Sequence, residues 1–352
     1  MADSAIILEA PHVHLRLAVC SVRKLAQEAA LRHQLAEGSS AVLAQALAGA
    51  LLLAATDRTE DALRARVDVQ LDCEGPLRGL LVDADGNGAV RGLVRVNTLD
   101  RSGERAKVPA ERTALDLQEE PLRIELPLGG AGASAGAALQ FQPLRPLVRF
   151  DAGPLLGAAG DRRAGSLSVL RAAVGEESVH RAHVPFSGAD LGAGLSAFLR
   201  AERRLAGALA LEVLYQPHEP LAAVAGVLLL PTDEEQRDEV AALGDRLRAG
   251  VLHRLLLEVE KEAPGNAHAL ANHLSRELAL GPVRIESELR PRFQCRCSRE
   301  RVVLALQTLG AAELRDMADK DGGAEATCDF CAETYRIGAA ELLELAAPVE
   351  AQ

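Results

Sequence analysis

The sequence predicts an α+β protein: an N-terminal α/β domain with an antiparallel sheet, a helical linker packed on that domain, and a small C-terminal domain. Alternating apolar and polar segments with tight turns are concentrated before Pro231, and a strand-free helical pattern follows them. Four of the six cysteines occur close to the C-terminal end. These three observations place the domains at residues 1–230, 231–290 and 291–352.

Composition limits the classes of function. The chain has 352 residues, 48% of them hydrophobic and 25% charged, which is typical of a globular protein with a sizeable core. Its net charge of −11 repels phosphate, and with only 2% aromatic residues it offers few rings for stacking bases, so nucleic acid is an unlikely partner.

The N-terminal segment lacks the basic and apolar regions of a secretory signal. The longest apolar stretch, residues 41–56, is shorter than the ~20 residues that a membrane span needs, so we interpret it as a buried core helix. We therefore expect no membrane association and a cytoplasmic location. In a reducing compartment, cysteines are expected as metal ligands, redox-active thiols or inert core residues.

The N-terminal part alternates helical and strand patterns. Helices are predicted over residues 22–36 and 41–55, with Ser39 or Ser40 as the N-cap of the second. Polar and apolar residues alternate over 65–72, which indicates a half-buried strand. The remaining predicted elements are strands at 77–83 and 89–96 joined by a tight Asp-Gly-Asn-Gly turn, strands at 167–173, 180–185 and 208–214, a helix at 189–203, and an apolar run at 222–230.

One pattern in this part resembles an enzyme motif. Residues 132–136 match the Gly-x-Ser-x-Gly elbow of hydrolases, which requires a strand before the serine and a helix after it. Here the serine lies in a low-complexity run of Gly, Ala and Ser over 129–136, which predicts a flexible loop. We therefore predict that the protein is not an enzyme.

The sequence of the linker predicts a series of short amphipathic helices over residues 232–280. Thr232 is a candidate N-cap, and acidic residues follow it, as suits a helix N-terminus. Gly250 and the pair Pro264-Gly265 interrupt the pattern, and such short helices are marginal unless packed on another surface. Their apolar stripe consists of Val240, Leu243, Leu247, Val251, Leu255 and Val259.

The C-terminal cysteines occur as two pairs, Cys295-x-Cys297 and Cys328-x-x-Cys331. Zinc prefers four thiolate or imidazole ligands in a tetrahedron, so we predict one Zn²⁺ per chain bound by all four thiolates in the reduced state. Helices over 298–309, capped by Ser298, and over 312–320 separate the pairs, and strand-like flanks place the second pair in a hairpin turn. The third part is therefore a small C-terminal zinc-binding domain.

The role of the zinc stays open at this point. Four cysteines leave no position for water, which argues against a catalytic zinc and fits a permanent structural site. A switch is also possible, because a disulfide within Cys-x-Cys closes a strained, easily reduced ring. Nearby arginines could offset the charge of the thiolates: Arg296, Arg299, Arg301 and Arg336. The other two cysteines, Cys20 and Cys73, lie in apolar or strand-like contexts and are predicted to be inert.

The run Phe-Gln-Cys-Arg-Cys-Ser-Arg-Glu-Arg over residues 293–301 closely resembles the heat-shock protein 33 family, whose members are redox-regulated holdase chaperones. The Gly-Gly and Cys-Asp-Phe-Cys motifs over residues 321–331 are also similar to this family. Weaker likenesses occur at Gly75-Pro76 and Arg91-Gly92, and the three-part arrangement extends the resemblance over nearly the whole chain.

The resemblance implies a mechanism. Zinc bound by Cys295, Cys297, Cys328 and Cys331 keeps the C-terminal domain folded while the linker covers an apolar surface. Oxidation converts the four thiolates to redox-active disulfides and releases zinc; the domain unfolds and unfolded client proteins bind without ATP. The family also implies a cytoplasmic homodimer, especially when oxidised. The alternative is a static zinc-ribbon module that binds nucleic acid or a partner protein.

Overall fold

The structure is a computed structural model that describes residues 2–56, 65–106, 146–157, 165–172, 179–186, 190–201, 206–217 and 219–347. The Gly-rich run predicted as a loop at 129–136 lies outside these residues.

Three sheets hold the strands of the described chain. The strands are β1 Ser4–Ala10, β2 Leu15–Ser21, β3 Arg66–Asp72, β4 Gly79–Asp85, β5 Ala89–Val94, β6 Val148–Arg149, β7 Gly165–Ala172, β8 Val179–Phe186, β9 Ala208–Gln216, β10 Glu219–Pro231, β11 Arg284–Leu289, β12 Arg292–Phe293, β13 Gly323–Thr327 and β14 Thr334–Gly338. The first sheet has the order β11-β1-β2-β10-β9-β6, the second β12-β5-β4-β3-β7-β8, and β13-β14 form a hairpin. Neighbours are antiparallel, except that β12 runs parallel to β5.

Helices lie on and between these sheets. They are α1 Arg23–Arg32, α2 Glu37–Ala55, α3 Gly153–Leu156, α4 Leu191–Ala201, α5 Arg237–Arg246, α6 Leu252–Glu262, α7 Ala267–Glu277, α8 Arg299–Gln307, α9 Ala311–Lys320 and α10 Ala339–Leu345. Together with the sheets they confirm the predicted α+β class. The predicted elements that fall on described residues agree with the structure to within a few residues at each end.

Helix α2 is the centre of the core. It packs against strands of both large sheets, including β4 and β10, and nearly all of its side chains are buried. It is long and apolar enough to cross a membrane, but 94% of that apolar window is buried inside the protein, as in the core helix of a globular protein. The expected N-cap is wrong, because α2 begins at Glu37 and both Ser39 and Ser40 lie buried within its first turns.

The four central strands of the first sheet are buried on both faces. One face contributes Ile7 and Cys20 to the main core around α2. The other face contributes Ile6 and Val19 to a second apolar cluster that the linker helices α5, α6 and α7 complete. The linker therefore packs on the N-terminal part of the chain, as predicted. Its first turn is capped by Asp233, which accepts from the amide of Glu235, and not by Thr232.

After α7 the chain joins both large sheets. Strand β11 pairs with β1 at the edge of the first sheet, and β12 pairs with β5 at the edge of the second. Neither strand was expected from the sequence. This segment leads directly to Cys295, so it places the first cysteine pair beside β5. The domain boundary at residues 290–291 falls between the two strands and stays a prediction.

Candidate metal centre

The two cysteine pairs meet at one point of the structure. Cys295 and Cys297 lie in an extended segment after β12, where the amide of Gln294 donates to the carbonyl of Val90 on β5 at 3.0 Å. Cys328 and Cys331 lie in the turn between β13 and β14, as the sequence predicted. The amide of Ala332 closes this turn on the carbonyl of Cys328 at 2.8 Å.

The four sulfur atoms form a compact group. Their Sγ atoms all lie within 4.8 Å of one another. The Sγ atoms of Cys295 and Cys328 are 3.7 Å apart, and those of Cys297 and Cys331 are 3.3 Å apart. A tetrahedral ion with Zn–S bonds of ~2.3 Å needs sulfur separations of about 3.8 Å, so small adjustments would accommodate it. No second group of three or more Cys, His, Asp or Glu ligands this close occurs among the residues that the structure describes.

The thiols differ in their electrostatic environment. Burial raises the pKa of Cys295, but the backbone amide of Cys297 and the Arg91 guanidinium outweigh it and lower that pKa to about 6. Burial, followed by hydrogen bonding to the neighbouring thiols of Cys297 and Cys295, raises the pKa of Cys331. A divalent cation would favour the thiolate form of all four, because its charge dominates such a site.

The arginines expected to offset the thiolate charge do so less directly than the sequence suggested. Three of them are engaged with carboxylates, in the pairs Arg296–Asp85, Arg299–Glu341 and Arg336–Glu325. The fourth, Arg301, donates to the backbone carbonyl of residue 296 at 3.0 Å. The reason is geometric, because acidic residues of β4, β13 and α10 lie within ion-pair distance of these three guanidinium groups.

Two other residues donate side-chain hydrogen bonds to the sulfurs. Nη1 of Arg91, on β5, donates to Sγ of Cys295 at 3.3 Å. The hydroxyl of Tyr335, on β14, donates to Sγ of Cys297 at 3.1 Å. Sequence reasoning missed both roles. Arg91 had been noted only as part of a weak motif, and the pairing of β12 with β5 that brings it to Cys295 has no local signal.

The cluster is accessible from one side. A cavity of about 290 Å³ borders Cys297 and Cys328, and Arg91, Arg301 and Tyr335 also line it. By contrast, Cys20 and Cys73 are buried away from the cluster. Burial raises the pKa of the Cys20 thiol to about 12 and raises that of Cys73, which keeps both protonated and unreactive near neutral pH.

Comparisons with known proteins show which family and which fold this chain resembles. The family model described as Hsp33 protein matches residues 3–338. The 33 kDa chaperonin of Rippkaea orientalis is 32% identical over 347 residues, covering 98% of this chain and 96% of that protein. That of a Synechocystis strain is 31% identical over 352 residues, covering 99% and 98%. The crystal structure of the 33 kDa chaperonin from Thermotoga maritima has a similar fold, with a TM-score of 0.65 at 20% identity over 98% of both chains.

Proposed function

Because the chain belongs to the Hsp33 family of chaperones, we propose that it is a redox-regulated, ATP-independent holdase that binds unfolding proteins and prevents their aggregation under oxidative stress. The family is a chaperone family and not a known enzyme family. The observation that carries the redox part is the convergence of four thiols from two distant segments on one ion-sized site.

In the reduced state, Cys295, Cys297, Cys328 and Cys331 hold one Zn²⁺, with thiolates as the ligands that zinc prefers. The small size of the C-terminal core supports a structural role for the ion. Its buried apolar residues are Leu314, Ala318, Ile337, Leu342 and Ala346. Zinc can supply on the order of 10 kcal/mol of folding free energy to a unit of this size, so its loss would unfold the unit.

Oxidation converts the four thiolates of the site to two disulfides. Hydrogen peroxide, which can enter through the cavity beside Cys297, takes two electrons from each cysteine pair and leaves as water. The products are the disulfides Cys295–Cys297 and Cys328–Cys331, which no longer bind zinc. Two molecules of peroxide therefore suffice to release the ion from one chain.

Release of zinc exposes the client-binding surface. The linker helices cover the outer face of the first sheet, with Leu255, Val259 and Leu274 packed on strand residues such as Val19. When the linker lifts, both apolar surfaces become available, and exposed patches of this kind bind other apolar chains. The partners are unfolded proteins in the cytoplasm and, in the oxidised state, a second copy of the chain.

The test compares reduced, zinc-loaded protein with protein treated with peroxide at mildly elevated temperature. A chromogenic chelator measures released zinc, and light scattering measures aggregation of a heat-unfolded client without ATP. We expect one zinc released per chain and suppressed aggregation only after oxidation. Cys73→Ser should behave as the wild type, whereas Cys328→Ser should lose tight zinc binding. Retention of zinc and no gain of client binding would instead indicate a static zinc module.

A further inference from the structure

One arginine of the linker is inserted into the N-terminal part of the chain. Arg248 lies in the π-helical turn Leu247–Val251 between α5 and α6, and only 11% of its side chain is exposed. Arg246 and Arg254, on either side of it, are 56% and 50% exposed and both pair with Glu277. Arg248 therefore occupies a site, whereas these two neighbours lie on the surface.

The site consists of hydrogen-bond acceptors on β9 and at α4. Nη1 of Arg248 donates to the carbonyl oxygen of Leu209 at 2.8 Å and to Oγ of Ser196 at 3.0 Å. Oδ2 of Asp190, just before α4, lies 3.8 Å from Nε of Arg248. Ser196 is fully buried, and its hydroxyl also donates to the carbonyl of Gly192 and accepts from the amide of Leu209. The acceptors are therefore held in place by the N-terminal part itself.

Apolar contacts flank the inserted arginine on both sides. Leu247 and Leu252 are each 1% exposed and belong to the same apolar cluster as Ala208 on β9. The surface beneath the linker thus accommodates an apolar stripe with one cation within it. Apolar packing is non-directional, whereas a guanidinium group needs acceptors in a fixed geometry, so the Arg248 site adds selectivity to this surface.

The same surface also holds the backbone of the linker. Nη2 of Arg149, on β6, donates to the carbonyl oxygen of residue 248 at 2.9 Å, while its Nε lies 3.1 Å from the buried carboxylate of Glu212. Every peptide has backbone carbonyls, so this contact can hold a chain of any sequence. Only the contacts to the guanidinium group distinguish arginine from other side chains.

We propose that the Arg248 site is a subsite for clients, and that the oxidised protein prefers unfolded segments in which an arginine lies among apolar residues. The proposal rests on the holdase function proposed above, because the surface becomes available only when the linker lifts. Withdrawal of Arg248 leaves the Leu209 carbonyl and the Ser196 hydroxyl without this donor, beside the Asp190 carboxylate. A client arginine restores these hydrogen bonds, which a purely apolar segment cannot make.

Peptides test the subsite without changing the protein. A fluorescent peptide with the sequence of residues 244–259 is titrated with oxidised full-length protein, and binding is followed by fluorescence anisotropy. We expect Arg248→Gln in the peptide to weaken binding about tenfold, because it loses a charge and charge-assisted hydrogen bonds. Arg246→Gln is the matched control, since it removes the same charge from an exposed position and should change the affinity less than about twofold.

Two variants of the protein locate the effect. Asp190→Asn can still accept from the amide of Gly192 at the start of α4 but lacks the negative charge. It should weaken binding of the wild-type peptide about threefold and leave that of the Arg248→Gln peptide unchanged. Arg248→Gln in the protein removes the tethered competitor, so the oxidised variant should bind the wild-type peptide more tightly than the oxidised wild type does.

The outcomes separate the subsite from the holdase function. Equal affinities of the wild-type and Arg248→Gln peptides overturn the subsite and leave the holdase function standing. Oxidised protein that suppresses client aggregation but binds none of the peptides has the same meaning. If the oxidised protein neither suppresses aggregation nor binds a peptide, the holdase function fails and the subsite fails with it. Reduced, zinc-loaded protein should bind the wild-type peptide far more weakly, and equal binding would place the peptide elsewhere and overturn the subsite.

Discussion

At the scale of single residues, a buried carboxylate on strand β9 contacts the linker helix α6. Glu212, on β9, is 2% exposed and lies 3.1 Å from Nε of Arg149. Its Oε1 is also 3.4 Å from Nδ1 of His253 on α6. Burial raises the pKa of Glu212 to about 7 although Arg149 lowers it, and burial also lowers the pKa of His253. Near neutral pH the contact therefore favours a neutral histidine beside a partly protonated acid.

This contact predicts how stability depends on pH. The folded pKa of Glu212 is above its unfolded value, so the folded state binds more protons between about pH 4.5 and 7. The stabilisation is complete below this window and is lost as pH rises through it. Between pH 5 and pH 8 the wild type should lose about 2 kcal/mol more unfolding free energy than Glu212→Gln, measured by urea unfolding. The exposed Glu239→Gln is the control, and an equal pH dependence in both variants would contradict the prediction.

Individual site residues were predictable only where the signal is local. The spacing of the two cysteine pairs is typical of metal ligands. The sequence therefore identified the group that the structure brings together, which consists of Cys295, Cys297, Cys328 and Cys331. Arg91 approaches Cys295 only because residues 292–293 pair with β5, far away in the chain. No pattern within one segment could have shown that contact.

At the scale of elements, alternation of apolar and polar residues made β3 predictable, whereas two strands buried on both faces, β1 and β2, were missed. Strand β3 alternates buried and more exposed residues, and the sequence predicted it at 65–72. Strands β1 and β2 have apolar residues in succession, because Ile7 faces the main core while Ile6 and Leu8 face the linker. Without alternation they were not predicted. Strand β11 was missed for the opposite reason, because it is an exposed edge strand with few apolar residues.

The connection between α5 and α6 depends on one glycine. Gly250 has φ 130° and ψ −3°, a conformation that L side chains rarely adopt, yet an added Cβ would meet no atom within 4 Å. Gly250→Ala therefore introduces backbone strain without a clash, at a cost of about 1–2 kcal/mol. We expect hydrogen exchange to become faster in α6 and to stay unchanged in α2 and β3. Unchanged exchange in α6 would show that the linker does not need this conformation.

At the scale of the whole molecule, the metal centre and the linker are connected through the short segment that contains β11 and β12. This segment pairs with β1 on one sheet and with β5 on the other, and then enters the cysteine site. Strand β1 is also part of the surface beneath the linker, because Ile6 and Leu8 belong to the same apolar cluster as Leu255. The pairing of β11 with β1 and the packing of β1 against the linker therefore form a continuous path of contacts between the cysteine site and the linker.

If the linker acts as a cover, weakening it should activate the protein without oxidant. Leu255 is 2% exposed within the cluster between α6 and the first sheet. Leu255→Asp places a charge there, and an unpaired buried charge costs several kcal/mol, so α6 is expected to leave the sheet. The variant, kept reduced and zinc-loaded, should suppress aggregation of a heat-unfolded client as the oxidised wild type does. Lys261→Asp puts the same side chain on the exposed side of α6 and should stay inactive. A folded, zinc-loaded Leu255→Asp protein that remains inactive would rule out the linker as the cover, even with the metal centre intact.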